Sequence, residues 1–447
     1  MQKAVTHIRA VLGRILVIGL SLQIVFGLAW MCCSFTGVQW FAESSFYVKV
    51  SESLIYDEYT GILYPLLLML TGKNYLLLCL LQLVAALGAG YVFTGAVGVK
   101  SHVWRIWGSL TLLTYPMAMQ CHMAVLPNSF TFSCFLLLLS CVLAAVKKER
   151  NGWRRELLGA HVFWLLTALL QPDYLYLGAV PVILFWIYDA VKYRKSAGRR
   201  VSYHFLLAAV FAGMIVTTGS LTSTEGYYAR AQKSVASTVF QRVGWSGLAK
   251  YYMEWPEDVR DAAVEEAFLQ TVNYAENMEL LLLPEIERKV GTERAREFYV
   301  EISKRALTDN YPQIIYEVLW DTVGNVFPPV IVQEILEGRG YTSYCARNYE
   351  TMGQDCPMLT KLYMQYEAWW FMVGIVLTAC IWLLGILQKS KTQIFPLILC
   401  VLSAAFMTVW YVFENVGAWD YKKGVFVGVL WIIGMIVMSV RSLEEEQ

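Results

Sequence analysis

Two adjacent carboxylates, Asp57 and Glu58, stand just after the first long apolar segment of the chain. The apolar run behind them is about nine residues long, too short to cross a bilayer, which takes roughly 20. Tyr56, Tyr59 and Tyr64 flank the pair, and tyrosines of this kind anchor at membrane surfaces. The stretch 53–74 therefore reads as an interfacial element, with a short helix over about 59–70, that holds two acids at the water–lipid boundary. A carboxylate partly withdrawn from water has its pKa raised towards neutrality, which makes it a better proton acceptor. Two solvated acids in a loop remain the plain alternative.

Other polar residues sit at the ends of apolar runs. The uncharged link HMAVLPNS carries His122 and Asn128, and a second link reads Gln171-Pro172-Asp173-Tyr174. His122 can be a structural hydrogen-bonder or a catalyst. Asp173 can cap the helix that follows it or touch a substrate. No phosphate-cradling glycine loop, Ser/His/Asp order, nucleotide fingerprint or nucleic-acid module stands out, and no Cys/His pattern of metal-binding spacing occurs. A formal net charge of +1 gives no reason to expect a nucleic-acid partner.

The elements that position these groups follow from composition. Of 447 residues, 57% are hydrophobic and 16% charged, and mean hydropathy is +0.47. Soluble domains carry about 25% charged residues. Apolar runs of membrane length recur, so the expected fold is an all-α polytopic membrane protein with about ten transmembrane helices. They are placed at about 14–33, 75–97, 104–121, 129–146, 157–171, 172–190, 203–221, 368–387, 394–413 and 424–440. The first run ends in Trp30, Met31, Cys32 and Cys33 and is too long for a cleavable signal core, so it is read as a retained helix.

Basic residues set the orientation. Lys147, Lys148, Arg150, Arg154 and Arg155 fill one loop, Lys192, Arg194, Lys195, Arg199 and Arg200 another, and Lys389 and Lys391 a third. By the positive-inside rule these loops and both termini are cytoplasmic. Residues 34–61, Asp173, 414–422 and a polar insert, 222–366, then face outward. The expected division is a membrane module over 1–221, a mainly helical extracytoplasmic insert over 222–366, and a C-terminal membrane segment over 367–447. Within the insert, Pro256-Glu257-Asp258 is a helix-start signature for 257–270. Ala295, Phe298, Ile302 and Ala306 share one face of a helix over 292–307, and Glu301 and Arg305 are spaced for an i,i+4 pair. Residues 313–332 read as an interfacial amphipathic helix broken at Pro328-Pro329, because Glu317 and Asp321 are costly in lipid. Cys345 and Cys356 can pair if the insert is extracytoplasmic. Trp369, Trp370, Trp410 and Trp419 read as aromatic-belt residues.

An outward acid just after the first helix, followed by a tyrosine and a short interfacial helix, resembles the multi-pass glycosyltransferases of the GT-C superfamily. The nearest likeness is to the bacterial family-39-like, or Rgt-like, members related to protein O-mannosyltransferases. Gln171-Pro172-Asp173-Tyr174 is similar to their Arg/Lys-Pro-Asp/Glu step. The likeness covers roughly residues 10–220, and the remainder by layout only. It implies transfer of a sugar from a polyprenyl-phosphate donor to a glycan, lipid or protein acceptor of the cell envelope, with Asp57, beside Glu58, as general base. Asn128 and the Gln171, Asp173 and Tyr174 step are the substrate contacts it suggests, with His122 a candidate through its place near Asn128. Arg230, Lys233, Lys422 and Lys423 are outward cations near the membrane that can hold the carrier phosphate or serve as interface anchors. The sequence departs from the pattern at Asn128, where a second acid is usual, and at Gln171, where a cation is usual. These departures give no support to a divalent metal cofactor, and none is expected. A lipid-linked-glycan transporter or flippase, and a non-catalytic binding or assembly protein, are the rival readings.

Overall fold

The computed structural model describes residues 2–33, 38, 40, 42–53, 61–147, 153–192, 203–211, 213–214, 234–249, 251–273, 278–326, 358–387 and 421–444. Among them every regular element is helical and no strand occurs. The chain divides into two compact units: residues 1–223 with 330–404 and 425–447, and residues 224–329 with 405–424.

The first unit opens with α1 (Gln2–Cys33), α2 (Ala42–Ser53) and α3 (Leu63–Leu70). Helices α4 (Tyr75–Ala96), α5 (His102–Leu113) and α6 (Pro116–His122) follow. Then come α7 (Asn128–Lys147), α8 (Trp153–Leu170), α9 (Leu175–Lys192) and α10 (203–211). The C-terminal part adds α15 (Met358–Leu387) and α16 (Tyr421–Glu444). Lys3–Cys32, Tyr75–Ala96 and Asn128–Val146 are each long and apolar enough to cross a membrane, and two shorter apolar stretches are Gly178–Tyr188 and Trp369–Gly385. Helix α7 packs against α8 and α4, α4 against α5, and α1 against α15.

One continuous helix over 104–121 is not what forms. The chain breaks between α5 and α6, where Tyr115 takes extended angles (φ −61°, ψ 124°) ahead of Pro116. Proline has no N–H to give to the preceding turn and pushes the residue before it out of helical space. Small residues set the closest helix contacts. Gly13 lies against Ser442 of α16, Gly19 against the Trp370 ring of α15, and Gly27 against Thr114 and Tyr363, with no room for a Cβ at any of them. Tyr366 Oη donates to Gly19 O at 2.9 Å, and Gln23 Nε2 donates to Thr111 O at 2.9 Å. In an apolar solvent, packing and such hydrogen bonds replace the hydrophobic drive. Trp370 is thus a packing residue stacked on Tyr366, whereas Trp369 is 62% exposed. Trp410, Trp419, Cys345 and Cys356 lie outside the described residues.

The second unit has a core of its own. Helix α11 (Val235–Val239) runs on as a π-helical segment, Phe240–Ala249, which packs along α14 (Thr292–Val326). Helices α12 (Ala262–Asn273) and α13 (Leu283–Val290) complete it. Ala295, Phe298, Ile302 and Ala306 are all buried, as their periodicity requires. They pack with Phe240 and Trp255, and Phe240 lies 4.9 Å from Tyr299 between ring centres.

Two local expectations change here. Pro256 starts a turn, not a helix: Val259 N–H donates to its carbonyl at 3.1 Å. Helix α12 begins at Ala262, capped by Asp261, whose Oδ1 accepts from Val264 N–H at 2.8 Å. Arg305 does not pair with Glu301; it takes Glu254 at 2.6 Å and Asp309 at 3.6 Å, while Glu301 faces Arg294 at 3.7 Å. Helix α14 is two helical stretches that meet at a kink at Asn310 (φ −131°), just before Pro312, close to the expected gap between the helices over 292–307 and 313–332.

The Asp261 cap carries a testable pH signature. Bonding to Val264 N–H holds its carboxyl below the usual range, and the hydrogen bond from Arg294 does the same for Asp258. Both groups favour the folded state when ionised, so their contribution is present above the ordinary carboxyl pKa and is lost as pH falls below it. Amide exchange of 262–273 in the full-length protein should stay level from pH 7 to about 5, after correction for intrinsic rates, and rise below about 4. Asp261→Ala should cost about 1 kcal/mol at pH 7, and Asp261→Asn should keep the cap while removing that carboxyl's share of the pH dependence.

Candidate functional site

The links that the sequence marks out gather at one end of the first unit. Tyr47 of α2, Tyr64 and Leu68 of α3, Leu78 of α4, Ala124, Val125 and Leu126 of the link, and Leu170 of α8 form one buried cluster. Tyr47 meets Tyr64 edge-on at 5.3 Å between ring centres, and Trp40 meets Tyr75 at 5.0 Å. Helix α3 is short because Thr71-Gly72-Lys73 turns the chain, with positive φ at Gly72 and Lys73, into α4, whose first turn Asn74 caps through Leu77 N–H at 3.1 Å. An ion pair of 2.8 Å joins Lys73 to Glu52 across the α2–α3 corner; both groups are exposed, so it adds little stability.

Gln82 organises this end. It is fully buried in α4, and its Nε2 donates to His122 O and Ala124 O at 2.9 Å each and lies 3.4 Å from Cys121 O. Its Oε1 accepts from Tyr64 Oη at 3.3 Å. One side chain thereby satisfies carbonyls left over at the end of α6 and ties α3 to the link. Polar groups inside apolar helices are costly and mark function or assembly. That signal, a glutamine in the middle of an apolar run, was open to the sequence reading, which did not use it.

Gly61 fixes the other approach. Its φ is +61°, and a Cβ there would stand 2.5 Å from Leu169 O and 2.6 Å from Leu170 O. The chain thus enters α3 pressed against the last carbonyls of α8. Directly beyond them lies Gln171, then a single 3-10 turn, Pro172–Tyr174, before α9. Tyr174 N–H closes that turn on Gln171 O at 3.0 Å.

The expected site residues are therefore distributed as follows. His122, Asn128, Gln171 and Tyr174 are all at this end of the helices; His122 is 0%, Asn128 3% and Tyr174 5% exposed. His122 Nδ1 lies 2.7 Å from Ser129 Oγ, and its ring centre 5.8 Å from that of Phe132. Gln171 is half-buried, and its Oε1 finds no partner among the described residues. Asp173 lies in the 3-10 turn. Lys422 and Lys423 lie in the first turn of α16. Asp57, Glu58, Arg230 and Lys233 lie outside the described residues. Ser53 and Gly61, which bracket the two acids, end α2 and precede α3. Among the described residues no three His, Cys, Asp or Glu side chains converge to hold a metal ion.

Chemically, this end offers hydrogen-bonding groups withdrawn from water. Comparison with protein families, with characterised proteins and with solved structures finds no match for the chain.

Proposed function

We propose that the chain is a multi-pass membrane glycosyltransferase of the GT-C type. It moves a sugar from a polyprenyl-phosphate donor to an acceptor of the cell envelope. About ten helices cross the membrane, both termini are cytoplasmic, and the insert over 222–366 lies outside. Asp57 takes the proton of the acceptor hydroxyl, and Glu58 stands next to it. The leaving group is a phosphate anion, which needs stabilising donors more than an acid.

The observation that supports this reading is the meeting of four sequence-distant pieces at one end of the helices. The two segments that bracket Asp57-Glu58 pack with the 121–128 link and with the end of α8. These are the pieces that the resemblance marks as substrate-bearing. Asn128 and Gln171 favour one rival, a protein that binds the carrier lipid without turning it over.

Full-length protein in proteoliposomes, supplied with a polyprenyl-phosphate sugar, tests the point. Asp57→Asn should lower transfer by at least about a hundredfold, the low end of what a general base contributes, with carrier binding kept. Undiminished transfer by the folded variant removes the catalytic role of Asp57. Carrier binding without turnover in the unaltered protein selects the non-catalytic rival.

A further inference from the structure

The corner between α4 and α5 gathers cations without acids to match them. Lys100 stands in it and is exposed. Arg105, one turn into α5, donates from Nε to Val99 O at 2.7 Å, and Arg441, near the end of α16, donates from Nη2 to Val97 O at 3.2 Å. Carbonyls two positions apart lie within about 7 Å of each other, so both guanidinium groups hang on one short loop. Like charges this close repel one another. No carboxylate occurs on α1, α4, α5, α7 or in the loop 97–101. The acid of α16 is Glu444, and among the described residues no ion pair joins it to any of the three cations.

The arginine of α5 is held ready. Its guanidinium carbon lies 5.9 Å from the centre of the Tyr91 ring, over the face, and a Cβ at Gly95 would stand 3.0 Å from it. Tyr91 is itself fixed by the hydrogen bond between its hydroxyl and His102 Nδ1. With Nε given to Val99 O, the two terminal nitrogens of Arg105 remain, and neither has an acceptor among the described residues. A planar fork of this kind matches two oxygens of a phosphate. The same end of α5 is apolar and open: Val103 is 73% and Ile106 52% exposed. Helix α4 is long and apolar enough to cross a membrane, and the corner follows its last turn. The fork therefore stands at the water–lipid boundary, with apolar side chains beside it for acyl chains to cover.

We infer that this corner binds the headgroup of an acidic glycerophospholipid, its phosphodiester on the Arg105 fork with Lys100 and Arg441 alongside. Basic pockets between membrane helices hold such headgroups. A zwitterionic headgroup would bring its own ammonium against the same three cations. The glutamates at 444–446 are the rival occupant, but a carboxylate tail has nothing to lay on Val103 and Ile106. The 22 residues of α4 span about 33 Å, and the candidate site draws on its first half. The lipid site at its far end holds whether or not the chain transfers a sugar.

The test is binding of dioctanoyl phosphatidylglycerol to the full-length protein in dodecyl maltoside micelles, with dioctanoyl phosphatidylcholine as control. Phosphatidylglycerol should bind at least about tenfold more tightly, the scale of a hydrogen bond to a charged group, and the difference should shrink as salt is added. Arg105→Lys keeps the positive charge that orients the chain but has no fork, so affinity should fall about tenfold. Lys100→Gln changes a side chain that makes no hydrogen bond or ion pair among the described residues. Its melting temperature without lipid should hold while affinity falls about threefold, the scale of an exposed ion pair. Cations that only orient the chain would move neither affinity. Glu444→Gln, Glu445→Gln and Glu446→Gln together should leave binding level or tighten it. Equal binding of the two lipids, or unchanged affinity in either Arg105→Lys or Lys100→Gln, overturns the inference. Binding that appears only in the triple variant makes the tail the occupant and overturns it too. Asp57→Asn should bind phosphatidylglycerol as the unaltered protein does.

Discussion

Gln82→Leu should destabilise the first unit by about 4 kcal/mol and abolish whatever binding or turnover the link 121–128 supports. The side chain is fully buried, and its amide is within bonding distance of three carbonyls at once, Cys121, His122 and Ala124. Leucine has much the same volume, so no cavity forms, and the loss is electrostatic. Each stranded buried carbonyl costs about 1–3 kcal/mol, and the Tyr64 hydroxyl loses its acceptor as well. Gln82→Glu should fare no better, because a carboxylate cannot donate to carbonyls and would be buried with its charge. The measurement is thermal melting in detergent, followed by amide exchange at 121–128. Exchange there should rise in both variants, while helix α12, in the second unit, should exchange as before. A melting point within a degree of the unaltered protein would show that the link holds itself.

Gly61→Ala should cost about 3 kcal/mol, and Gly72→Ala should cost about 1. The pair isolates one cause. Both glycines have positive φ, +61° and +58°, and alanine pays the left-handed penalty of about 1–2 kcal/mol at either. They differ in what a Cβ meets. At Gly72 nothing lies within 4 Å, whereas at Gly61 two backbone carbonyls of α8 stand at 2.5 and 2.6 Å. Backbone cannot turn aside as a flexible side chain can, so α3 must lift from α8, at a further cost of about 1–3 kcal/mol. Since Gly61 lies four positions after Asp57, Gly61→Ala should also lower transfer if the proposed function holds, and Gly72→Ala should not. Equal destabilisation by the two substitutions would show that the approach to α8 carries no constraint.

Much of the helical layout was open to sequence reading, and the reason is physical. Long apolar runs and the 3.6-residue period at 295, 298, 302 and 306 are local signals that survive folding intact. Errors arose where a local rule met a stronger competitor. At 256–258 a helix-start signature lost to a turn, because Asp261 offered a better cap. At Arg305 the neighbour one turn back lost to Glu254, 51 positions away, and to Asp309. The break before Pro116 was readable from proline chemistry and was overlooked because hydropathy does not dip there. The candidate site was legible as separate link residues, His122, Asn128, Gln171 and Tyr174. Their gathering was not, because it depends on bonds such as Gln82 to Ala124, 42 positions apart, which leave no periodic trace.

The seam between the first helix and the last two has a consequence for biogenesis. Gly13, Gly19 and Gly27 of α1 find their tight contacts partly in Ser442, Trp370 and Tyr363, residues made long after α1. A ribosome must therefore synthesise everything from α2 to α15 before α1 can dock. Until then that segment waits among lipids or membrane chaperones, while α2 to α9, which already hold the candidate site, are free to assemble around one another.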